Sequence, residues 1–294
     1  MTPPLTPPPD HAFDLRITPL REDIAAAALR GQVEGRRFVE PLRRRVVASS
    51  VPLRKGRDAG LGYETELLHG ELVDLYEILD GWAWGQAVRD GYVGYLPAEA
   101  LGVPALEPTH RLAALRSFLY PGPSIKVTPL GFLPYGATVE VEAIEDRFAR
   151  TAEGYLFAGH LAPIADQAAD PVAEAERFLG IPYLWGGKTS LGIDCSGLVQ
   201  SASLACGIAA PRDSDMQEHA LGEALAIPND PHHFQRGDLL FWPGHVALSQ
   251  GGGRMIHATA FSMSVISEDI GPAIARIAGQ GHPLRTVRRL GKAC

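Results

Sequence analysis

The sequence predicts an α+β protein in which two small β-barrels precede a C-terminal domain made of helices and an antiparallel hairpin. Short apolar runs separated by turn residues fill residues 45–101, a pattern typical of small barrels. A fainter version of that pattern occupies residues 106–165. After Ile164 the pattern changes to a helical stretch from Asp170-Pro171 to Leu179, a glycine-rich loop, a second helix and a hairpin.

Composition and charge limit the possible functions. The chain has 294 residues, of which 46% are hydrophobic and 21% charged, so it is a core-forming chain long enough for two or more domains. Lys and Arg number 27 and Asp and Glu 34, giving a net charge of −7 without a basic stripe. We therefore expect no nucleic-acid partner. No apolar run approaches the roughly 18 residues of a membrane span, and we expect no membrane partner.

The N-terminal region is predicted to contain a tail and one helix. Residues 1–17 begin MTPPLTPPPD, a proline-rich string without a basic or apolar signal region, so we predict a disordered tail and a cytoplasmic protein. A secretory signal removed beforehand is the alternative. Residues 18–44 are predicted to form a helical segment, because Thr18 can cap a helix and Pro19 suits its first turn.

Residues 45–105 are predicted to form the first barrel. Asp80-Gly81 and Asp90-Gly91 are turn signals between apolar runs. The string GWAWGQAV…DGYVGYLP resembles a bacterial SH3 domain. In residues 106–165 the string GATVEV aligns with GELVDL of the first barrel, which predicts a second SH3-like barrel.

Cys195 is the candidate nucleophile. With three cysteines the chain cannot form a disulfide scaffold, and Cys195 and Cys206 on one helix would lie about 16 Å apart, too far to bridge. In the string DCSGLVQ the thiol falls at a helix N-terminus, where unpaired N–H groups and the helix dipole lower a thiol pKa. The alternative is a buried structural cysteine.

Two histidines are placed by the predicted hairpin. His245 and His257 flank a glycine turn, and a loop centred on Gly251 would put them directly opposite each other. One can then act as the base for the thiol while the other orients it. Zinc binding by the same three side chains is the alternative, but no Cys-x-x-Cys or His-x-x-x-His spacing supports it. We expect no metal and no cofactor. His232 and His233 are interpreted as structural or surface residues.

The motifs DCSGLVQ and RGDLLFWPGHVALSQGGGRMIHA resemble the NlpC/P60 family of papain-like cysteine peptidases, over residues 166–294. The resemblance implies a papain-like α+β fold in which the cysteine helix packs on a sheet that carries both histidines. It also implies that Cys195 is the nucleophile, His245 the general base and His257 the residue that orients it.

Two further segments resemble members of this family that carry N-terminal SH3 domains. They are PRDSDMQ, residues 211–217, and YLWGG, residues 183–187. The resemblance implies that Tyr183, Asp213 and Ser214 line a pocket for the free amine of a leading L-Ala. The other substrate-binding residues expected in the matched segments are Trp185, Asp194 and Ser196. The alternative for Asp213 and Ser214 is a helix cap.

The resemblance also implies a role for the first SH3 domain and a substrate. Glu64 and Tyr92 are candidates for closing the pocket, with ordinary barrel residues as the alternative. The expected reaction is hydrolysis of the γ-D-glutamyl-L-diamino acid bond of murein peptides with a free N-terminal L-Ala, in cell-wall peptide recycling. The alternatives are an amidase or transpeptidase, or a wall-binding protein whose peptidase domain is vestigial.

Overall fold

The structure, a computed structural model, describes residues 13–58, 60–104 and 107–290. The chain divides into two compact units with the boundary after Glu107. Residues 1–12 of the predicted tail lie outside the described residues. Its last part, residues 13–17, is folded rather than disordered: Phe13 packs against a small apolar cluster. In addition, the Arg16 carbonyl accepts a hydrogen bond from Val93 N–H at 2.7 Å.

The helix predicted in residues 18–44 is wrong. The region forms strands β1 (Ile24–Ala26) and β2 (Arg37–Val39), which pair in parallel, with one turn of 3-10 helix between them. All three residues of β1 are buried. Ile24 and Ala26 pack with Tyr76 and Trp84, whereas Ala25 packs in a second cluster. Because both sides of β1 are covered, packing outweighs the helix propensity of its alanines.

The N-terminal unit contains a barrel of seven further short strands. They are β3 (Leu42–Val46), β4 (Ser50–Leu53), β5 (Thr65–Leu68), β6 (Leu72–Leu79), β7 (Trp82–Ala87), β8 (Val93–Pro97) and β9 (Leu101–Gly102). Five of them form a sheet of order β8-β7-β6-β3-β9, and β4 pairs with β5. The predicted Asp80-Gly81 turn joins β6 to β7. Both residues have positive φ, 53° and 79°, as a two-residue hairpin turn requires.

The C-terminal unit begins with eight short strands. They are β10 (His110–Leu112), β11 (Arg116–Leu119), β12 (Gly131–Pro134), β13 (Thr138–Val139), β14 (Ala143–Glu145), β15 (Phe148–Thr151), β16 (Gly154–Phe157) and β17 (Leu161–Pro163). They form the sheets β13-β10-β17, β11-β12 and β14-β15-β16. This segment ends as the first barrel does, with a 3-10 turn between its last two strands, Ala158–His160 here and Ala98–Ala100 there.

The remainder of this unit is the α+β domain that the sequence predicts. Its helices are α1 (Pro171–Glu176), α2 (Cys195–Ala205), α3 (Ser214–Ala220) and α4 (Ile270–Gly279). Its strands are β18 (Lys188–Thr189), β19 (Gly192–Ile193), β20 (Glu223–Leu225), β21 (Asp238–Trp242), β22 (His245–Gly251), β23 (Arg254–Thr259), β24 (Ser264–Asp269) and β25 (Thr286–Arg289). The last six strands form an antiparallel sheet of order β20-β25-β21-β22-β23-β24.

The sheet has an apolar cluster on each side. Val246 and Leu248 of β22 pack in the same cluster as the apolar residues of α2. The residue between them, Ala247, packs in a second cluster with Ile270 and Ala273 of α4. Alternate residues of a strand face opposite sides, so β22 lies between α2 and α4. The predicted α+β fold, with the cysteine helix packed on the sheet that carries both histidines, is confirmed.

Tyr135 attaches the segment of strands β10–β17, predicted to be the second barrel, to helix α1. Its hydroxyl donates a hydrogen bond to Glu174 at 2.6 Å, and its ring meets Phe178 edge-on at 5.4 Å between centroids. Arg177 lies over the same ring and donates to the Ala113 carbonyl. These contacts join the barrel segment to the domain that carries the cysteine helix.

Candidate active site

Cys195 is the first residue of α2, and its side chain is almost fully buried. Asp194 caps the helix: its Oδ1 accepts a hydrogen bond from Gly197 N–H at 2.7 Å. Its Oδ2 accepts from Gly186 N–H at 2.8 Å, which holds the glycine loop against the helix start. The two oxygens of one carboxylate therefore fix the backbone on both sides of the thiol.

A buried arginine completes this arrangement. Arg212 is 1% exposed and donates to both oxygens of Asp194, at 2.9 and 2.7 Å, and to Ser196 Oγ at 2.9 Å. Asp194 and Ser196 were predicted to bind substrate, but the structure gives their side chains hydrogen-bond partners inside the protein. Sequence reasoning assigned no role to Arg212. The only available signal was its place in the PRDS string.

The environment of Cys195 favours the neutral thiol. Burial, together with the nearby Asp194 carboxylate, raises its pKa to about 12, although backbone hydrogen bonds at Val246 and Ser196 oppose the increase. The net pKa of Cys195 is therefore raised, not lowered as the sequence predicts. The helix start acts in the predicted direction, but the loss of solvent outweighs it.

His245 and His257 are in direct contact, as predicted, although the strand register differs from the prediction. His245 Nε2 and His257 Nδ1 are 2.8 Å apart. Leu248 pairs with Ile256, a displacement of two residues from a loop centred on Gly251. The turn residues are Gly252 and Gly253, both with positive φ, and β22 has an irregularity between Ser249 and Gly251. An even displacement keeps both histidines on one side of the sheet.

Two residues that sequence reasoning missed extend the hydrogen-bonded chain beyond the histidine pair. His257 Nε2 lies 2.8 Å from Glu268 Oε1. Arg276 donates to both oxygens of Glu268, at 2.7 and 2.6 Å. We call His245, His257, Glu268 and Arg276 the histidine relay. Glu268 lies on β24 and Arg276 on α4, beyond the hairpin and outside the recognised motifs.

Burial and charge set the protonation of the relay. Burial, together with the charge of neighbouring His257, lowers the pKa of His245 to about 3, and Glu268 opposes the change. Burial alone would raise the pKa of Glu268, but hydrogen bonds from Arg276 and His257 outweigh it and lower that pKa to about 2. At neutral pH the relay therefore contains a neutral His245 and an ionised Glu268.

Tyr183 lies beside the nucleophile. It packs against the cluster that contains Cys195, and its N–H donates to the Met263 carbonyl at 2.9 Å. Burial raises the pKa of its phenol, and the charges of Cys195 and Asp194 act in the same direction. The phenol is therefore a neutral hydrogen-bond donor close to the thiol. Trp185, two residues along, is 67% exposed.

Comparisons with known families agree with this geometry. Residues 180–275 match the model of the NlpC/P60 family, and residues 53–101 match that of the bacterial dipeptidyl-peptidase SH3 domain. The chain carries an NlpC/P60 domain. Its fold is also that of a solved NlpC/P60 family protein from Bacillus cereus, with a TM-score of 0.71 at 23% identity over 85% of this chain and 99% of that one.

Two curated relatives of this chain have names that state an activity. One is a gamma-D-glutamyl-L-lysine dipeptidyl-peptidase of Bacillus subtilis, 32% identical over 164 residues, which are 51% of this chain and 53% of the relative. The other has the same name in Bacillus cereus and is 37% identical over 111 residues, 35% of this chain and 31% of the relative. This chain thus matches between about a third and half of each relative's length.

Asp213 and Ser214 lie at the start of α3 in the NlpC/P60 domain. Asp213 occupies the N-cap position, yet its side chain makes no capping hydrogen bond within the described structure. Gln217 of the same helix donates to the carbonyl oxygen of Ser196 at 2.9 Å, which joins α3 to the first turn of α2. Asp213 therefore holds the cap position without the side-chain hydrogen bond of a cap. The predicted pocket role stays a prediction.

Glu64 and Tyr92 both belong to the first barrel. Tyr92 is 3% exposed, and its hydroxyl donates to Glu64 Oε2 at 3.4 Å. The two candidates from the SH3 domain are thus close to each other. Their role in closing the pocket stays a prediction.

Among residues 13–58, 60–104 and 107–290, no group of three or more metal-ligating side chains is placed to hold an ion. The helices of the same ranges are all too short or too polar to cross a bilayer.

Proposed function

We propose that the protein is a cysteine peptidase that hydrolyses the γ-D-glutamyl-L-diamino acid bond of murein peptides with a free N-terminal L-Ala. One observation carries the proposal. A buried thiol at the start of α2 lies beside the backbone of Val246, the residue after His245, and His245 is bonded to His257. These residue types, brought to neighbouring positions, support the roles of a nucleophile, a base and an orienting residue. The names of the curated relatives support the choice of bond.

The reaction begins with a proton transfer that keeps the site neutral overall. The Cys195 thiol gives its proton to His245 as sulfur attacks the γ-D-glutamyl carbonyl carbon, and the carbonyl oxygen becomes an oxyanion. The phenol of Tyr183 and the N–H of Cys195, unpaired at the helix start, donate to that oxyanion. Because thiol and imidazole are both neutral at rest, the ion pair forms only during the attack.

Collapse of the oxyanion breaks the peptide bond. Protonated His245 donates its proton to the nitrogen of the leaving diamino acid, and the dipeptide stays on Cys195 as a thioester. His245 then removes a proton from water, which attacks the thioester carbonyl. The sulfur leaves with that proton, and L-Ala-γ-D-Glu is released. The reaction consumes one water and needs no other co-reactant.

The pocket residues give the proposed preference for a free amine. We assign the carboxylate of Asp213 and the hydroxyl of Ser214 to the ammonium group of L-Ala. An acylated amine cannot pair with the carboxylate, and a buried unpaired charge costs on the order of several kcal/mol. Both residues begin the helix that Gln217 joins to the first turn of α2, where Cys195 lies, and this connection supports the assignment.

A requirement for a free amine suits short released peptides, because the L-Ala nitrogen is in amide linkage in the intact wall. We therefore propose a role in the recycling of wall peptides in the cytoplasm. Cell fractionation with an antibody to the protein tests the location. Recovery from the culture medium or cell wall would contradict it.

Mass spectrometry of peptide products tests the function. The protein is incubated with L-Ala-γ-D-Glu-diaminopimelate and, separately, with its N-acetylated form, and Cys195→Ala serves as the control. We expect L-Ala-γ-D-Glu from the free peptide only, and none from the variant. Equal cleavage of both peptides would refute the roles of Asp213 and Ser214. Cleavage of neither would refute the proposed substrate.

A further inference from the structure

We propose that Glu268 and Arg276 are positioning residues that fix the tautomers of both histidines and thereby choose the nitrogen of His245 that acts as the base. The inference deepens the proposed function and rests on it only for its kinetic readout. It follows from two short contacts, between His245 and His257 and between His257 and Glu268, and from the two hydrogen bonds that Arg276 donates to the Glu268 carboxylate.

When both imidazoles are neutral, the contacts leave one consistent set of protons. The Glu268 carboxylate can only accept hydrogen bonds, and its oxygen lies 2.8 Å from His257 Nε2, so this nitrogen carries the proton. A neutral imidazole has one N–H, and His257 Nδ1 is therefore an acceptor. Since His245 Nε2 lies 2.8 Å from that Nδ1, His245 Nε2 donates. His245 Nδ1 is left with the free electron pair of that ring, so it is the nitrogen that can accept a proton.

Without the carboxylate, the hydrogen bond between the two histidines could form equally well with donor and acceptor exchanged. His257 Nδ1–H would then donate to His245 Nε2, and His245 Nδ1 would carry a proton. In that state His245 has no electron pair at Nδ1 to accept the proton of Cys195. Glu268 thus selects the reactive tautomer through His257, although it touches neither the thiol nor His245.

Arg276 keeps Glu268 ionised and correctly oriented. Its two hydrogen bonds engage both carboxylate oxygens, and its guanidinium lies 4.2 Å from the ring centroid of Phe261. Within the described residues, Arg276 from α4 and His257 from β23 act on the pKa of Glu268, and His245 from β22 is electrostatically coupled to it. The next carboxylate along β24, Asp269, pairs with Arg254 and is 65% exposed.

That neighbouring pair supplies a matched control. Glu268→Gln and Asp269→Asn make the same chemical change, carboxylate to amide, one residue apart on the same strand. Alternation along a strand points the two side chains to opposite sides. The amide in Glu268→Gln would offer Arg276 and His257 one oxygen instead of two, so it would hold His257 in a single tautomer less well.

Nitrogen-15 NMR of histidine side chains reads the tautomers directly and needs no substrate. In the wild-type protein at neutral pH we expect His245 and His257 each to carry the proton on Nε2 alone. We expect the same tautomers in the control variant Asp269→Asn. In Glu268→Gln we expect a mixture of tautomers at both residues. A proton on His257 Nδ1 in the wild type, or unchanged tautomers in Glu268→Gln, would overturn the inference. If the variant fails to fold, the wild-type spectrum alone still tests the inferred tautomers.

Kinetics on the tripeptide provide the second readout. For Glu268→Gln we expect kcat to fall about 10- to 100-fold, with KM within about twofold, because the residue orients a reactive histidine without contacting substrate. Asp269→Asn should keep both constants within about twofold. A rise in KM alone, with kcat unchanged, would contradict the proposal. If the wild type does not cleave the tripeptide, the proposed function fails while the NMR result still decides this inference.

Arg276→Met separates charge from position. Methionine keeps an apolar contact for Phe261 but removes both hydrogen bonds to Glu268. The carboxylate still accepts from His257, so we expect the Nε2 tautomer to persist at neutral pH, and the acid limb of kcat/KM to move to higher pH as the pKa of Glu268 rises. An acid limb that stays in place would refute the role of Arg276.

Discussion

Two carboxylate–arginine pairs support the two halves of the site, and they differ in burial. Asp194 and Arg212 beneath the thiol have side chains only 9% and 1% exposed. Glu268 and Arg276 behind the histidines are 18% and 23% exposed. Both arginines bind their carboxylates through two nitrogens.

The difference shows that similar pairs can serve different purposes. Asp194 holds backbone on both sides of Cys195, so its pair stabilises a local fold. Glu268 holds a ring nitrogen of His257, so its pair controls proton positions. Breaking the first pair should mainly reduce stability, whereas breaking the second should mainly reduce turnover. The following changes test that contrast, from the largest expected effect to the smallest.

Arg212→Met should produce the largest loss of stability. It leaves the Asp194 carboxylate buried without its counter-ion, and removing one partner of a buried pair costs about 3–5 kcal/mol of unfolding free energy. Urea unfolding followed by tryptophan fluorescence measures the change. A loss below about 1 kcal/mol would show that Asp194 does not depend on Arg212.

Tyr183→Phe should mainly reduce turnover on the cysteine side. Removing one donor to the oxyanion lowers kcat by about 100-fold, whereas the buried ring remains in place and stability changes little. Steady-state kinetics on the tripeptide, with the urea midpoint as the folding control, measure both effects. Unchanged kcat would remove the phenol from the oxyanion site.

Stability should fall on both sides of neutral pH. The folded pKa of His245, about 3, lies below its ordinary 6.5, so the unfolded chain binds more protons and stability decreases as pH falls from about 6.5 towards 3. The folded pKa of Cys195, about 12, lies above its ordinary 9.0, so stability decreases as pH rises above about 9. Urea midpoints across pH measure both limbs.

Substitution assigns each limb. His245→Gln should flatten the acid limb, although Glu268, with its lowered pKa, retains a contribution at lower pH. Cys195→Ala should reduce the alkaline limb, to which buried Cys206, with its raised pKa, also contributes. If both variants showed the same dependence of stability on pH as the wild type, the protonation states given to the resting site would be refuted.

The exposed pair of Arg254 and Asp269 should contribute least to the free energy of unfolding among these pairs. Their side chains are 48% and 65% exposed. Arg254→Met should therefore cost only about 0–1 kcal/mol of unfolding free energy. The same urea measurement as for Arg212→Met checks this value. An equal loss in both variants would show that burial does not distinguish the pairs.

The sequence reveals the parts of the site that local strings encode. Cys195 at a helix start and two histidines across a glycine turn are visible from spacing and residue type alone. The α+β fold followed from the resemblance to the NlpC/P60 family. The hairpin register did not, because an irregularity inside β22 changes which residue faces which without changing the apolar pattern.

The remaining features depend on side-chain contacts between separate secondary-structure elements. Arg212 is 18 residues from Asp194, and Arg276 reaches Glu268 from another element. Nothing in either local pattern indicates that these groups meet. The N-terminal region illustrates the same limit: a run of alanines predicts a helix, but packing on both sides of β1 makes it a strand.

Capture of the covalent intermediate tests the central claim most directly. Wild-type protein is mixed with L-Ala-γ-D-Glu-diaminopimelate, quenched in acid within the first turnover, digested and analysed by mass spectrometry. The account predicts a mass increase equal to the L-Ala-γ-D-Glu acyl group on the fragment that contains Cys195, and no adduct in Cys195→Ala. Product accumulation without an adduct at Cys195, or with the variant as active as the wild type, would contradict it.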